Sequence, residues 1–230
     1  MKILSVVGAR PNFMKIAPFI DQIKKNPNIQ HILVHTGQHY DDRMSKVFFE
    51  TLGIPKPDIN LSIGSGSHSQ QVGETMIAFE KILIKEKPDW VVVVGDVNAT
   101  LACSVTAKKM NLKVCHIEAG LRSKDINMPE EINRLVTDRI SDLLLTPDLL
   151  SSLNLLNEGI SENKIKFVGN IMIDTLDKNI KKAKSLSLFD IINNNIINEK
   201  NSFNRKVLKN FGLITMHRPS NVDSKNILEP

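Results

Sequence analysis

Short β-branched runs alternate with longer amphipathic segments along this 230-residue chain. Strand runs are predicted at residues 3–7, 32–36, 90–94, 113–117, 142–145 and 166–168. Helical segments are predicted at 11–25, 42–52, 98–110, 130–140, 147–157 and 170–184. Strand alternating with helix at this pitch is typical of parallel βαβ units with right-handed crossovers. The four valines at 91–94 have no polar alternation, which indicates a central strand covered on both faces. We therefore predict an α/β fold with a Rossmann-like parallel sheet.

Composition excludes several classes of partner. The net charge is +5, but the basic residues are scattered among acids. The lysine pairs at 24–25, 108–109 and 181–182 therefore indicate solvated helix faces, and we expect no nucleic acid as a partner. A mildly basic balance suits an anionic small substrate. Cys103 and Cys115 lie in apolar settings without metal-ligand spacing, which predicts a reducing compartment and no metal. With no secretory signal and no apolar stretch near the roughly 20 residues that span a bilayer, we expect a cytoplasmic protein without membrane attachment.

The pattern changes near the carboxyl end. Residues 1–185 are predicted to form an N-terminal Rossmann-like domain. Residues 186–205 are rich in asparagine and lack a clean period, which indicates a loose helix and loop serving as a linker. Residues 206–230 are expected to begin a second Rossmann-like unit and to leave it incomplete, so that this tail either packs on the first domain or promotes association.

The turn after the first predicted strand is a candidate anion site. Gly8 permits close backbone approach there, Arg10 can form a bidentate contact with phosphate, and Lys15 lies about one turn further along the helix. A single glycine falls short of the G-x-G-x-x-G fingerprint. The absence of that fingerprint argues against a nicotinamide or flavin cofactor. A purely structural role for the turn is an open alternative.

Three acidic positions follow apolar runs at the edge where open α/β sheets bind ligands. Asp96 comes after the most apolar strand, although it could simply cap the next helix. Glu118 lies between an apolar run and a flexible Ala-Gly, where a partly desolvated carboxylate suits proton transfer. Glu130 and Glu131 open a Pro-led helix, and favourable interaction with the helix dipole would explain one of them. Because Glu118 and Glu130 lie only twelve residues apart across a loop, the two can converge on one pocket.

Seven segments together resemble one known family. They are GARPNFMKIAP at 8–18, TGQH at 36–39, GD at 95–96, HIEAGLR at 116–122, PEEINR at 129–134, VGN at 168–170 and HRPSN at 217–221. In this order over residues 1–222 they are similar to the non-hydrolysing UDP-N-acetylglucosamine 2-epimerases. The resemblance implies two Rossmann-like domains of the glycosyltransferase-B architecture, a homodimer, and no nicotinamide or metal cofactor.

The resemblance also implies the reaction. UDP-N-acetylglucosamine and UDP-N-acetylmannosamine interconvert, for surface polysaccharide precursors, by C2 proton abstraction with UDP elimination to 2-acetamidoglucal, followed by readdition. It implies catalytic roles for Asp96, Glu118, Glu130 and His217. The substrate-binding residues that it implies are Arg10, Lys15, Gln38, Arg122, Asn170 and Arg218.

Three departures from the family pattern are visible. Asn12 stands where many members have Glu, and residues 38–44 differ from the pattern of members regulated by a second substrate molecule. Family members also continue beyond the length of this chain, into a part that holds the uridine and diphosphate. One alternative is therefore a truncated, inactive remnant that binds nucleotide sugar weakly. A glycosyltransferase half is a further alternative, disfavoured because a transferase has no need of this carboxylate set.

Overall fold

The computed structural model describes residues 1–37, 56–194, 212 and 214. The strands within these residues are β1 (Lys2–Val7), β2 (Gln30–His35), β3 (Ile59–Asn60), β4 (Trp90–Val94), β5 (Lys113–Ile117), β6 (Leu143–Thr146) and β7 (Ile165–Phe167). The helices within them are α1 (Arg10–Ile23), α2 (His68–Glu86), α3 (Asn98–Lys109), α4 (Pro129–Ile140), α5 (Leu149–Asn157), α6 (Ile171–Ser185) and α7 (Leu188–Asn194), with a 3-10 turn at Glu162–Lys164.

These strands form one parallel sheet in the order β3-β2-β1-β4-β5-β6-β7. The chain builds outward from β1 to β3 and then crosses back to β4, so the topological switch lies between β1 and β4. Ligands of open α/β sheets bind outside the carboxyl ends of the strands at such a switch. The predicted Rossmann-like sheet is confirmed, and the elements that follow β1, β4 and β5 are positioned to form a site.

Successive valines of β4 point to opposite faces of the sheet, so each face has its own core. On one face Val92 and Val94 join a cluster with Phe13, Ile16 and Ile20 of α1. On the other face Val91 and Val93 pack with Phe79 and Leu83 of α2. Since a strand alternates its side chains across the sheet, an uninterrupted valine run is what two apolar layers require.

The structure adds elements that were not predicted. Helix α2 buries Thr75, Phe79 and Leu83 at four-residue spacing, whereas Ile77 and Ile84 are exposed and obscure that stripe. The two-residue strand β3 pairs with the carboxyl end of β2. The other element boundaries match prediction or differ from it by at most two residues. The helix predicted at 42–52 lies outside the described residues.

The chain divides into two compact units, Met1–Lys178 and Asn179–Pro230. The first holds the sheet, and in the second α7 is formed within the predicted linker. The predicted boundaries at 185 and 205 stay predictions, and most of the tail 206–230 lies outside the described residues. Among the helices that the structure describes, none is long and apolar enough to cross a membrane.

Candidate active site

The turn between β1 and α1 is held by a buried asparagine. Asn12 Oδ1 accepts hydrogen bonds from the backbone N–H groups of Gly8 at 3.1 Å and Ala9 at 3.0 Å. Asn12 Nδ2 donates to the Val94 carbonyl at 2.9 Å. The side chain therefore ties the exit of β1 to the exit of β4, across the topological switch. Arg10 begins α1 in this turn.

Lys15 and Glu118 form an ion pair next to this turn. Lys15 Nζ contacts Glu118 Oε2, and each side chain is only 13% exposed. Both lie against Gly95, where an added Cβ would stand 3.2 Å from Lys15 Nζ, 3.3 Å from Asn12 Nδ2 and 3.6 Å from Glu118 Oε2. Gly95 has φ +69°, so both its conformation and its crowded surroundings favour glycine. The residues predicted after β1, β4 and β5 therefore meet at one place.

Glu118 owes its position to the end of β5. Its backbone has φ +72°, and its N–H and that of Ala119 both donate to the Leu145 carbonyl at 3.0 Å. The strand therefore stops at Ile117, and the next residue turns out of the sheet. This turn directs the carboxylate of Glu118 toward α1.

Asp96 pairs with a second cation. Arg134 of α4 donates to Asp96 Oδ2 through Nε at 3.1 Å and Nη2 at 2.5 Å, and Asn133 Nδ2 donates to the Asp96 carbonyl at 2.8 Å. The cap of α3 is Val97, with no side-chain hydrogen bond. The alternative in which Asp96 merely caps that helix is therefore wrong. Burial opposes the charge of Arg134, but Asp96 and Glu131 raise the pKa of Arg134 above its usual value.

Glu130 and Glu131 have different environments. Glu131 is buried and accepts hydrogen bonds from the backbone N–H groups of Ser123 at 2.9 Å and Lys124 at 3.0 Å, and from Arg134 Nη1 at 2.9 Å. Burial would raise the pKa of Glu131, but these donors outweigh it and lower that pKa. Glu131 thus holds the loop before α4. Glu130 is half-buried and lies one turn before Arg134 on the same helix face, which places it on the Asp96 side.

Arg122 is engaged by protein groups. Its Nε and Nη2 donate to the two carboxylate oxygens of Glu158 at 2.7 and 2.6 Å. Its Nη1 donates to Asp138 Oδ2 at 2.8 Å and to the Leu121 carbonyl at 2.7 Å. Burial opposes its charge, but Glu158 and Asp138 raise the pKa of Arg122 further above its usual range. Four of its five N–H groups have protein acceptors, which favours a structural role over the predicted contact with substrate.

Asn170 lines a cavity that Glu118 also lines. Its Oδ1 accepts from the Met172 N–H at 3.0 Å and so holds the start of α6. The cavity is about 240 Å³, below the roughly 300–1,000 Å³ typical of small-molecule sites. Its lining residues are Pro18, Phe19, Gln22, Ile117, Glu118, Leu145, Pro147, Val168, Gly169, Asn170, Ile171 and Asp174. The cavity that these described residues enclose is therefore too small for a whole nucleotide sugar.

Three predicted site residues, Gln38, His217 and Arg218, lie outside the described residues. Sequence reasoning missed two residues that contact this cluster, namely Arg134 beside Asp96 and His116, whose Nε2 lies 2.8 Å from the Gly95 carbonyl oxygen. Arg134 belongs to the quoted segment 129–134, and its spacing of four residues from Glu130 was an available signal. His116 begins the quoted segment 116–122, but a histidine within an apolar strand indicates a core residue.

The fold and this cluster define an α/β protein with paired carboxylates and cations at the carboxyl edge of a parallel sheet. A family profile described as UDP-N-acetylglucosamine 2-epimerase matches residues 21–230. The chain therefore belongs to the UDP-N-acetylglucosamine 2-epimerase family, and the resemblance stated from the sequence is confirmed.

Individual relatives agree with this assignment. A UDP-N-acetylglucosamine 2-epimerase homolog from Methanococcus maripaludis is 47% identical over 229 residues, covering 100% of this chain and 60% of the relative. The UDP-2,3-diacetamido-2,3-dideoxy-D-glucuronate 2-epimerase of Pseudomonas aeruginosa is 48% identical over 177 residues, covering 76% of this chain and 50% of the relative. The crystal structure of Methanocaldococcus jannaschii UDP-GlcNAc 2-epimerase in complex with UDP-GlcNAc and UDP matches with a TM-score of 0.87 and 45% identity, covering 100% of this chain and 60% of that one. The chain thus spans about 60% of the length of its first relatives.

Proposed function

We propose that this chain binds a UDP-N-acetylhexosamine and carries the C2 epimerisation that interconverts UDP-N-acetylglucosamine and UDP-N-acetylmannosamine. The observation that carries the proposal is the meeting of Glu118, Lys15, Asp96 and Arg134 at the carboxyl edge of β4 and β5. The names of the relatives above share 2-epimerisation of a UDP-activated sugar.

The reaction requires two kinds of group. A base takes the proton from C2, the electrons of that C–H bond form the C1=C2 double bond of 2-acetamidoglucal, and the C1–O bond to the diphosphate breaks. UDP then adds back to C1 while C2 receives a proton on the opposite face. The base is a positioned carboxylate, and cations stabilise the charge on the departing diphosphate.

The side chains of this site fit those requirements. Asp96, Glu118 and Glu130 are the proposed active-site carboxylates, and Lys15 and Arg134 fix the orientation of two of them. Ion pairs that hold both partners at 13–27% exposure reduce the freedom of the reacting groups before substrate arrives.

The remaining roles extend the proposal to the predicted binding groups. His217 assists departure of the diphosphate. Of the six predicted substrate contacts, the proposal keeps Arg10, Lys15, Gln38, Asn170 and Arg218 and leaves out Arg122, which protein acceptors occupy. We also propose that the protein acts in the cytoplasm as a homodimer and supplies precursors for surface polysaccharide.

The test is isotope exchange at one carbon. Purified chain is incubated with UDP-N-acetylmannosamine in heavy water, and deuterium at C2 is followed by NMR. We expect deuterium in both UDP-N-acetylmannosamine and UDP-N-acetylglucosamine, because only proton abstraction labels C2.

Binding and folding are measured in the same samples. Absence of label from a chain that unfolds cooperatively would overturn the proposal. If that chain still bound UDP-sugar weakly, the result would instead support the inactive remnant as the alternative.

A further inference from the structure

His116 is buried in the middle of β5 and contacts the two loops that flank the site. Its side chain is fully shielded from solvent. Its Nε2 lies 2.8 Å from the Gly95 carbonyl oxygen, and its Nδ1 lies 2.6 Å from Asp138 Oδ1. The first contact is with the residue before Asp96, and the second is with a carboxylate from α4.

The chemistry of these partners determines the protons on the ring. A carbonyl oxygen can only accept, so Nε2 must carry a proton and donate it to Gly95. Asp138 Oδ2 already accepts from the Gly120 N–H at 3.0 Å and from Arg122 Nη1 at 2.8 Å. A carboxylate with two such donors on one oxygen is stabilised in its ionised form. It therefore accepts at Oδ1 as well, which requires a second proton on Nδ1.

The charges around the ring balance. Burial would raise the pKa of Asp138, but His116 and Arg122 outweigh burial and hold that pKa below its usual range. Arg122 in turn pairs with Glu158. The network therefore contains two cations and two anions, so that burial of the ring leaves no uncompensated charge.

We propose that His116 is a positioning residue that, as a doubly protonated imidazolium, joins the Gly95 carbonyl to Asp138 and so fixes the loop carrying Asp96 against the loop that follows Glu118. Both loops meet the same carboxylate, one through the ring of His116 and the other through the Gly120 N–H. A shift of the ring would move Asp96 relative to Glu118. The catalytic consequence rests on the proposed function, whereas the protonation state and the loop contacts do not.

The first experiment measures the protons directly. Histidine is labelled with ¹⁵N in the unmodified chain, the His116 signals are assigned by their loss in His116→Asn, and the ring nitrogens are observed by NMR at neutral pH. We expect protons bonded to both Nδ1 and Nε2. An unprotonated nitrogen on this ring would overturn the imidazolium and with it the proposal.

The second experiment separates the two hydrogen bonds. An Asn amide nitrogen at this position overlays Nδ1, so His116→Asn keeps the donor to Asp138 and loses the one to Gly95. A Gln amide nitrogen overlays Nε2, so His116→Gln keeps the donor to Gly95 and loses the one to Asp138. The backbone amide shifts of residues 95–96 and of Gly120 report on the two loops without any substrate.

We expect His116→Asn to move the amide signals of residues 95–96 and His116→Gln to move that of Gly120. In the C2 exchange assay we expect His116→Asn to lower kcat by about 10²-fold with little change in KM, since misplacement of reacting groups by about 1 Å has that effect. His116→Gln should recover part of kcat.

Equal kcat in both variants and the unmodified chain would overturn the positioning role. Failure of the proposed function has a different outcome, in which the unmodified chain shows no C2 exchange while the ring protons and amide shifts remain as expected. If one variant does not fold, the other variant still assigns the His116 ring signals by their loss, and the ring measurement still tests the proposal.

Discussion

Glu118 adopts a left-handed backbone conformation, with φ +72°, which costs a residue with a Cβ about 1–3 kcal/mol. Such strain persists only where surrounding contacts outweigh it. Here the Leu145 carbonyl accepts two N–H groups from the turn, and Lys15 pairs with the side chain. The strained turn is what presents this carboxylate to Lys15 and to the Gly95 loop.

Replacement of Glu118 by Gln should abolish C2 exchange and leave binding of UDP-sugar largely intact. The amide keeps the shape of the side chain but cannot accept the C2 proton. The measurement is deuterium at C2 together with calorimetric binding of UDP-N-acetylglucosamine.

Glu80→Gln makes the same chemical change at an exposed position of α2 and should leave exchange unchanged. Near-normal exchange in Glu118→Gln would remove Glu118 from the mechanism.

Glu131 should make folding stability depend on pH. Its pKa in the folded chain is lowered from 4.5, so its contribution is fully present above the unfolded value and is lost as pH falls through the folded value. Glu131→Gln should reduce the free energy of unfolding at neutral pH by roughly 1–3 kcal/mol, because two backbone donors lose a charged acceptor. The free energy of unfolding, measured with urea between about pH 3 and pH 7, should then fall less steeply with decreasing pH in Glu131→Gln than in the unmodified chain.

Glu130→Gln is the matched control for Glu131→Gln, since Glu130 is the half-buried neighbour of Glu131 on the same helix. It makes the same chemical change without removing the acceptor of the Ser123 and Lys124 N–H groups. Identical pH profiles for Glu131→Gln and the unmodified chain would contradict the assigned hydrogen bonds.

At the scale of elements, the loop after β5 is packed directly against α5. Gly120 has φ +83°, and a Cβ there would lie 2.3 Å from the Ser151 carbonyl oxygen. Gly120→Ala should therefore destabilise the chain by several kcal/mol, from overpacking of about 1–3 kcal/mol together with backbone strain. Thermal unfolding measures the loss.

Gly73 offers the opposite case within α2, with nothing within 4 Å of an added Cβ. Gly73→Ala should stabilise by about 0.4–1 kcal/mol, because alanine favours the helix and restricts the unfolded chain. Equal effects at the two glycines would contradict the close approach of the loop to α5.

Strands with one unambiguous pattern could be predicted from sequence. Residues 90–94 were placed correctly because four consecutive valines have few alternatives to a buried strand. The helix α2 was missed, since exposed Ile77 and Ile84 hide the stripe of Thr75, Phe79 and Leu83. Strand β3 has only two residues and depends on its neighbour β2, which no local pattern reports.

The candidate site was predictable only in part. Strand ends placed Asp96 and Glu118 at one edge, because parallel strands share their carboxyl ends. Their cations were not predictable as partners, since the contacts Lys15 with Glu118 and Arg134 with Asp96 depend on how α1 and α4 lie on the sheet. Arg122 shows the reverse, because its sequence context gave no sign that Asp138 and Glu158 occupy it.

At the scale of the whole molecule, the part of the sheet that the structure describes carries a large apolar cluster on each face. One core packs α1 on the sheet, and the other packs α2 and α3 on the opposite face. The site lies at the carboxyl edge, where both layers end, so its loops depend on both cores. This arrangement makes the coupling between core positions a test of the architecture.

Substitutions on opposite faces should have additive effects on stability. Ile16 of α1 and Ile32 of β2 are buried in different clusters, and each Ile→Val change should cost about 0.5–1.5 kcal/mol. The double variant should equal the sum within about 0.3–0.5 kcal/mol, as expected for separated sites. Ile16→Val with Ile20→Val is the comparison, because these residues lie one turn apart in one cluster and share the space that the lost methyl groups leave. Urea unfolding of the three single variants, the two double variants and the unmodified chain measures both couplings. A larger coupling across the sheet than within α1 would show that the two layers are not independent.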